Sequence, residues 1–233
     1  MKCKSIAVIL LCILSAGLRA QPKLQKDLPL KYLVHEPTTK AAHPPLIILM
    51  HGYGSNETDL FDLKDKLPKN FLVVSVRAPL TLSGNAYQWY RKPTINEDLK
   101  SSGLIVQSFI TAIVKKYHAD ADHVYLSGFS QGGMMSYEVG LNAPELLKGI
   151  APLSGMIQQV MKPEIPNTFA LKKLRIFVGH GDADNRIPYS QAVDAVNYLK
   201  TLGLSPEFHT YKGMQHTISD EELKDFVRWL IEK

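Results

Sequence analysis

The sequence predicts an α/β protein with a mainly parallel central sheet and helices on both faces. Short apolar runs alternate with stretches of helical periodicity, a pattern that winds strands and helices into parallel layers. A Gly128-Phe129-Ser130-Gln131-Gly132-Gly133 turn joins the run Val124-Tyr125-Leu126 to a helix-like stretch, Met134 to Leu141. Polar segments rich in His, Gly and Asp stand directly after three of the strand candidates, where parallel sheets gather their reactive groups.

The chain of 233 residues opens on Lys2 and Lys4, an apolar run from Ile6 to Leu14 and a small-residue-rich stretch ending at Ala20. This is the pattern of a secretory signal peptide over residues 1–20, with cleavage after Ala20. The run is shorter than the roughly 20 residues a membrane span needs, so the mature protein is expected to lack stable membrane insertion. Leu10 and Leu11 precede Cys12, and the apolar run continues past it. A lipobox would instead place a small residue before a cysteine at the end of the run. Cys3 and Cys12 both lie in the leader, so residues 21–233 hold no cysteine. An exported domain of this kind relies on its core rather than on disulfides.

The formal charge of +5 falls to +2 once Lys2, Lys4 and Arg19 are subtracted. With no basic tract interleaved with aromatics, nucleic acid is not an expected partner. The composition leaves oligomeric state open.

Residues 21–233 read as a single domain without repeats or separating linkers. Lys31 to His35, Leu46 to Met50 and Phe71 to Val76 are the early strand candidates, the second a bare apolar run suited to a sheet covered on both faces. Asp98 to Tyr117 is expected to be a long amphipathic helix, with Leu104, Ile105, Ser108, Phe109, Ala112 and Ile113 on its packed face. Val124 to Phe129 leads into the turn at Ser130. Gly149 to Leu153, Arg175 to Gly179 and Pro206 to Tyr211 complete the strands, with helices at Gln191 to Leu202 and Glu221 to Ile231.

A G-x-S-x-G turn between strand and helix holds its serine in a strained conformation, and glycines on either side let the two elements approach. The segments His51-Gly52-Tyr53-Gly54, His180-Gly181-Asp182-Ala183-Asp184 and Gly213-Met214-Gln215-His216 follow strand candidates. With Ser130 they run in the order serine, acid, histidine, the order of the α/β-hydrolases.

These motifs, together with Asp59-Leu60 and Ile187-Pro188, resemble those of the phospholipase/carboxylesterase family that includes acyl-protein thioesterases. The resemblance spans almost the whole of residues 21–233, and GFSQGG is its most specific part. It implies an α/β-hydrolase without a large cap domain, cleaving small esters or thioesters and needing no cofactor. Position by position, it implies Ser130 as nucleophile, Asp184 as the acid and His216 as the base. It matches Tyr53 to one oxyanion amide, and Gln131, directly after the serine, supplies the other.

Asp182 competes with Asp184 within one loop, and His209 competes with His216. The family pattern places the acid second, and His216 stands in a loop where His209 lies within a strand. His51 reads as a structural histidine supporting its loop. His180, Asp182 and Asp184 lie close enough to raise a metal site, but no H-E-x-x-H helix or cysteine cluster accompanies them, so no metal is expected.

Substrate recognition is less legible. Tyr87, Trp89 and Tyr90 form an aromatic cluster, and the family comparison places the Trp89 region at the acyl or alcohol pocket. Loop packing is the alternative. Met156, Ile157, Val160 and Met161 within Met156 to Phe169 are read as an apolar wall or flap, or as core. Export favours lipid, xenobiotic or polysaccharide-linked esters over intracellular acyl-proteins. A serine peptidase on the same fold and a non-catalytic hydrolase-like binding protein are the alternative functions.

Overall fold

The computed structural model describes residues 22–39, 41–162 and 168–232. The expected signal peptide and five residues of the Met156 to Phe169 segment lie outside them. The strands are β1 (Tyr32–His35), β2 (Leu46–Met50), β3 (Leu72–Val76), β4 (Leu80–Ser83), β5 (Ala86–Gln88), β6 (Val124–Phe129), β7 (Gly149–Leu153), β8 (Arg175–Gly181) and β9 (Glu207–Tyr211). The α-helices are α1 (Ile95–Tyr117), α2 (Gln131–Asn142), α3 (Phe169–Lys173), α4 (Tyr189–Thr201) and α5 (Asp220–Ile231). No described helix is long and apolar enough to cross a membrane.

Seven strands form one sheet in the order β1-β3-β2-β6-β7-β8-β9. From β3 through β9 the pairs are parallel, and β1 joins the edge antiparallel to β3. The alternation of side chains on β2 shows why the sheet needs cover on both faces. Leu46, Ile48 and Met50 enter the layer packed by α1, α2 and α4. Ile47 and Leu49 enter the opposite layer, with Phe226, Trp229 and Leu230 of α5. The α/β-hydrolase architecture with helices on both faces is therefore present.

Helix α1 is rotated from the expected face. Leu104 is 62% exposed, while Leu99, Ser102, Gly103, Val106, Phe109, Ile110 and Ile113 are buried. Gly103 lies on this buried face, and a Cβ there would come within 3.2 Å of Glu138 Cγ on α2. The absence of that side chain lets α1 and α2 approach. Two further features escaped sequence reading: the antiparallel sense of β1, and the β4–β5 hairpin, whose β4 strand is largely exposed while β5 is half-buried to buried.

The start of α5 carries a half-made capping box. Ser219 Oγ accepts the Glu222 N–H at 3.1 Å, but both carboxyl oxygens of Glu222 are buried without a partner. The side chain turns inward against Gly179, where a Cβ would meet Glu222 Oε1. Burial pushes the Glu222 carboxyl up to about 8 from 4.5, since a charge there would lose its water.

A carboxyl with a raised folded-state pKa contributes stability that is fully present below the unfolded pKa and is lost as pH rises through the folded one. Glu222→Met is therefore expected to raise the melting temperature relative to wild type at pH 8–9, with the advantage shrinking towards pH 5. Thermal melts across that range check this, and a pH-independent difference would contradict it.

Candidate active site

The site is assembled at the carboxyl ends of β2, β6, β8 and β9. Between β6 and α2, Ser130 has φ 55° and ψ −117°, a strained conformation for a residue with a Cβ that costs roughly 1–3 kcal/mol. The surroundings hold it there. Its N–H donates to Leu153 O at 2.9 Å, and its carbonyl accepts from the Met134 N–H at 3.0 Å. A Cβ on Gly132 would sit 2.1 Å from Met50 O, and one on Gly128 would sit 2.3 Å from the Gly132 carbonyl carbon. Only glycine fits at either position.

The serine, histidine and one of the two candidate acids form a continuous line. Ser130 Oγ lies 2.8 Å from His216 Nε2, and His216 Nδ1 lies 2.7 Å from Asp184 Oδ2. An ionised carboxylate can only accept, so Nδ1 carries the ring proton and Nε2 is left to accept from the serine hydroxyl. Asp184 Oδ1 also accepts the Arg186 and Ile187 N–H groups at 2.8 and 2.9 Å. Burial raises the Asp184 carboxyl, but His216 and these two amides outweigh it and hold the group below its ordinary range.

The competing residues face elsewhere. Asp182 accepts the Gly213 N–H at 2.6 Å, bracing the loop that carries His216. His209 lies between Glu207 at 2.6 Å and Asp225 at 3.3 Å, stacked on Phe177. His180 is buried, donates from Nε2 to Ile187 O at 2.9 Å and lies 3.4 Å from Asp184 Oδ2. Desolvation lowers its pKa, with the Ile187 carbonyl and Asp184 acting in the opposite sense. Among the described residues, no three His, Cys, Asp or Glu side chains converge on a point that could hold a metal.

Tyr53 and Gln131 both border a cavity of about 850 Å³ that also contains Ser130 and His216. The Gln131 N–H is at the first position of α2, where amides have no partner within the helix. The Gln131 side chain accepts the Trp89 N–H at 2.7 Å and donates to Tyr90 O at 2.9 Å. His51 stays buried and donates from Nδ1 to Gly52 O at 2.7 Å, while its Nε2 accepts the Ala78 N–H at 3.0 Å.

Trp89 and Met156 are not among the residues lining this cavity. Trp89 is fully buried, and its indole N–H donates to His51 O at 2.9 Å. It therefore supports the Tyr53 loop from behind instead of facing a substrate. The need of a buried indole N–H for an acceptor is the signal that could have found this role. Met156 packs against the core. Tyr87 exchanges backbone hydrogen bonds with the same loop, at 2.9 Å from Gly54 N and 2.8 Å to Ser55 O. Of the three clustered aromatics, Tyr90 alone lines the cavity, with its hydroxyl 2.7 Å from Met134 Sδ. Arg91, Lys92 and Arg186 also border the cavity and stood out in no motif.

Trp89→Phe would strand the buried His51 carbonyl, a loss of about 1–3 kcal/mol. Calorimetry is expected to show a melting temperature lower by several degrees. An unchanged value would mean that the indole does not hold the loop.

The sequence and the fold have counterparts among known proteins. Residues 33–232 match the family model described as Phospholipase/Carboxylesterase. Acyl-protein thioesterase 1 of Mycosarcoma maydis is 36% identical over 114 residues, covering 47% of this chain and 48% of the relative. The match thus spans about half the length of that relative. Carboxylesterase SOBER1 of Arabidopsis thaliana is 29% identical over 203 residues, covering 79% of this chain and 88% of the relative. The crystal structure of esterase PE8 superposes with a TM-score of 0.74 at 26% identity, covering 86% of this chain and 97% of that one. By its motifs, its fold and the reach of the family model, the chain belongs to the phospholipase/carboxylesterase family.

Proposed function

We propose that this protein is a serine hydrolase that cleaves small carboxylic esters or thioesters through an acyl-enzyme. The observation that carries the proposal is the unbroken Ser130–His216–Asp184 line at the edge of an open cavity. The carboxylesterase and thioesterase names of its relatives support the same class of bond.

As Ser130 Oγ attacks the acyl carbon, His216 Nε2 takes its proton. The charge that builds on the acyl oxygen faces the amides of Gln131 and Tyr53, which need no reorganisation to stabilise it. His216 then returns the proton to the departing alcohol or thiol, and water repeats the sequence to release the acid. Asp184 holds the imidazole in the required tautomer and stabilises its positive charge. The leader over residues 1–20 makes the periplasm or cell exterior the working compartment.

Ser130→Ala is expected to lower kcat for p-nitrophenyl acetate by about 10⁴-fold or more, leaving only the residual that the oxyanion amides supply. Asp184→Asn should lower kcat by about 10⁴-fold with the fold intact, and Asp182→Asn should lower it far less. The opposite ranking would reassign the acid. Strong cleavage of aminoacyl anilides with negligible ester cleavage would identify a peptidase. Amino-terminal sequencing of the exported protein should begin at Gln21, and a chain retained with Met1 would contradict export.

A further inference from the structure

The walls of the cavity divide into a buried, mostly apolar floor and an exposed, charged rim. Tyr90, Met134 and Ile187 are buried, and Gln88 and Gln131 are the buried polar side chains among them. Arg91, Lys92 and Arg186 are exposed at the same cavity, with Asp59 as the opposing carboxylate.

Arg91 is fixed in place. Its Nε and Nη2 donate to Asp98 at 2.8 and 2.9 Å, and the arginine side chain is 55% exposed where the carboxylate is 7% exposed. Asp98 thus pins the guanidinium through Nε and Nη2, leaving Nη1 outside this pair on a half-exposed side chain. Among the described residues, the side chains of Lys92 and Arg186 make no hydrogen bond or ion pair. Even with Asp98 counted, three cations stand against two carboxylates, and Asp98 lies behind Arg91 rather than at the rim. A concave site with apolar walls concentrates such a field on whatever enters it.

Resting on the ester-hydrolase reading above, we propose that the substrate is an anionic ester. Its reacting carbonyl lies at Ser130 over the apolar floor, and a carboxylate carried by its acyl or alcohol part is met by Lys92 and Arg186, with Arg91 as the pre-set contact. Rim charges of this kind add to association rate and selectivity more than to the chemical step.

The test compares kcat/KM for two matched pairs of esters. Monophenyl adipate against phenyl hexanoate places the charge on the acyl side, and 4-acetoxybenzoate against phenyl acetate places it on the alcohol side. In the double variant Lys92→Glu/Arg186→Glu, the anionic-to-neutral ratio is expected to fall by about tenfold or more for one pair, which also identifies the charged side. Raising the ionic strength should lower the wild-type ratio for that same pair. Ratios unchanged within about twofold for both pairs would overturn the proposal, while hydrolysis of the neutral esters would leave the role of Ser130 standing. Failure of the wild type to cleave any of the four would overturn the hydrolase reading and this proposal together.

Discussion

The bare backbone contact between the start of α2 and the end of β2 is the constraint on which the rest of the site depends. Gly132 rests against the Met50 and His51 carbonyls, with room for no side chain, and Gly128 lies equally close to Gly132. This closeness turns the chain at Ser130 into its positive-φ conformation and brings the first turn of α2 beside the loop that follows β2. The strain at Ser130 is of order 1–3 kcal/mol. It persists because hydrogen bonds on both sides of the residue, to Leu153 and from Met134, fix the turn.

The same contact organises the cavity at one remove. Gln131 uses its whole amide to hold Trp89 and Tyr90, and Trp89 in turn holds the His51 carbonyl. The hairpin, the Tyr53 loop and the nucleophile turn are thereby one hydrogen-bonded unit. Glu57 and Arg77 add a charged clasp with both hydrogen bonds at 2.5 Å, and Arg77 lies 4.4 Å from the centre of the Tyr87 ring. On the far side of Ser130, the loops after β8 and β9 brace each other: the Ala183 N–H donates to Met214 O at 3.2 Å while Asp182 holds Gly213. Two separately braced walls meet at the Ser130–His216 hydrogen bond.

Features set by local chemistry were legible in the sequence. The glycines around Ser130, the apolar run of β2 and the order of serine, acid and histidine each reflect a requirement expressed within a few residues. The architecture followed from them, as did the segments that meet at the serine. What stayed illegible depends on partners distant in the chain. The family comparison matched the Trp89 region to a pocket, with loop packing as the alternative, and the sequence could not decide because an aromatic in a loop carries no mark of the carbonyl it will bond 38 residues away. The packed face of α1 includes the close approach of Gly103 to Glu138, a long-range match that periodicity does not encode. The inward turn of Glu222 likewise depends on Gly179 of another element. The charged rim was hidden for the same reason, since Arg186 and Lys92 border one cavity only in the fold.

The central claim is that the strained turn presents a nucleophilic oxygen activated by the histidine beside it. Incubation with a fluorophosphonate, followed by intact-mass measurement and peptide mapping, tests that claim most directly. The account predicts a single covalent adduct, on Ser130, formed in the wild type and absent from Ser130→Ala. A wild-type protein that resists labelling as fully as that variant, or an adduct mapped to another residue, would contradict it.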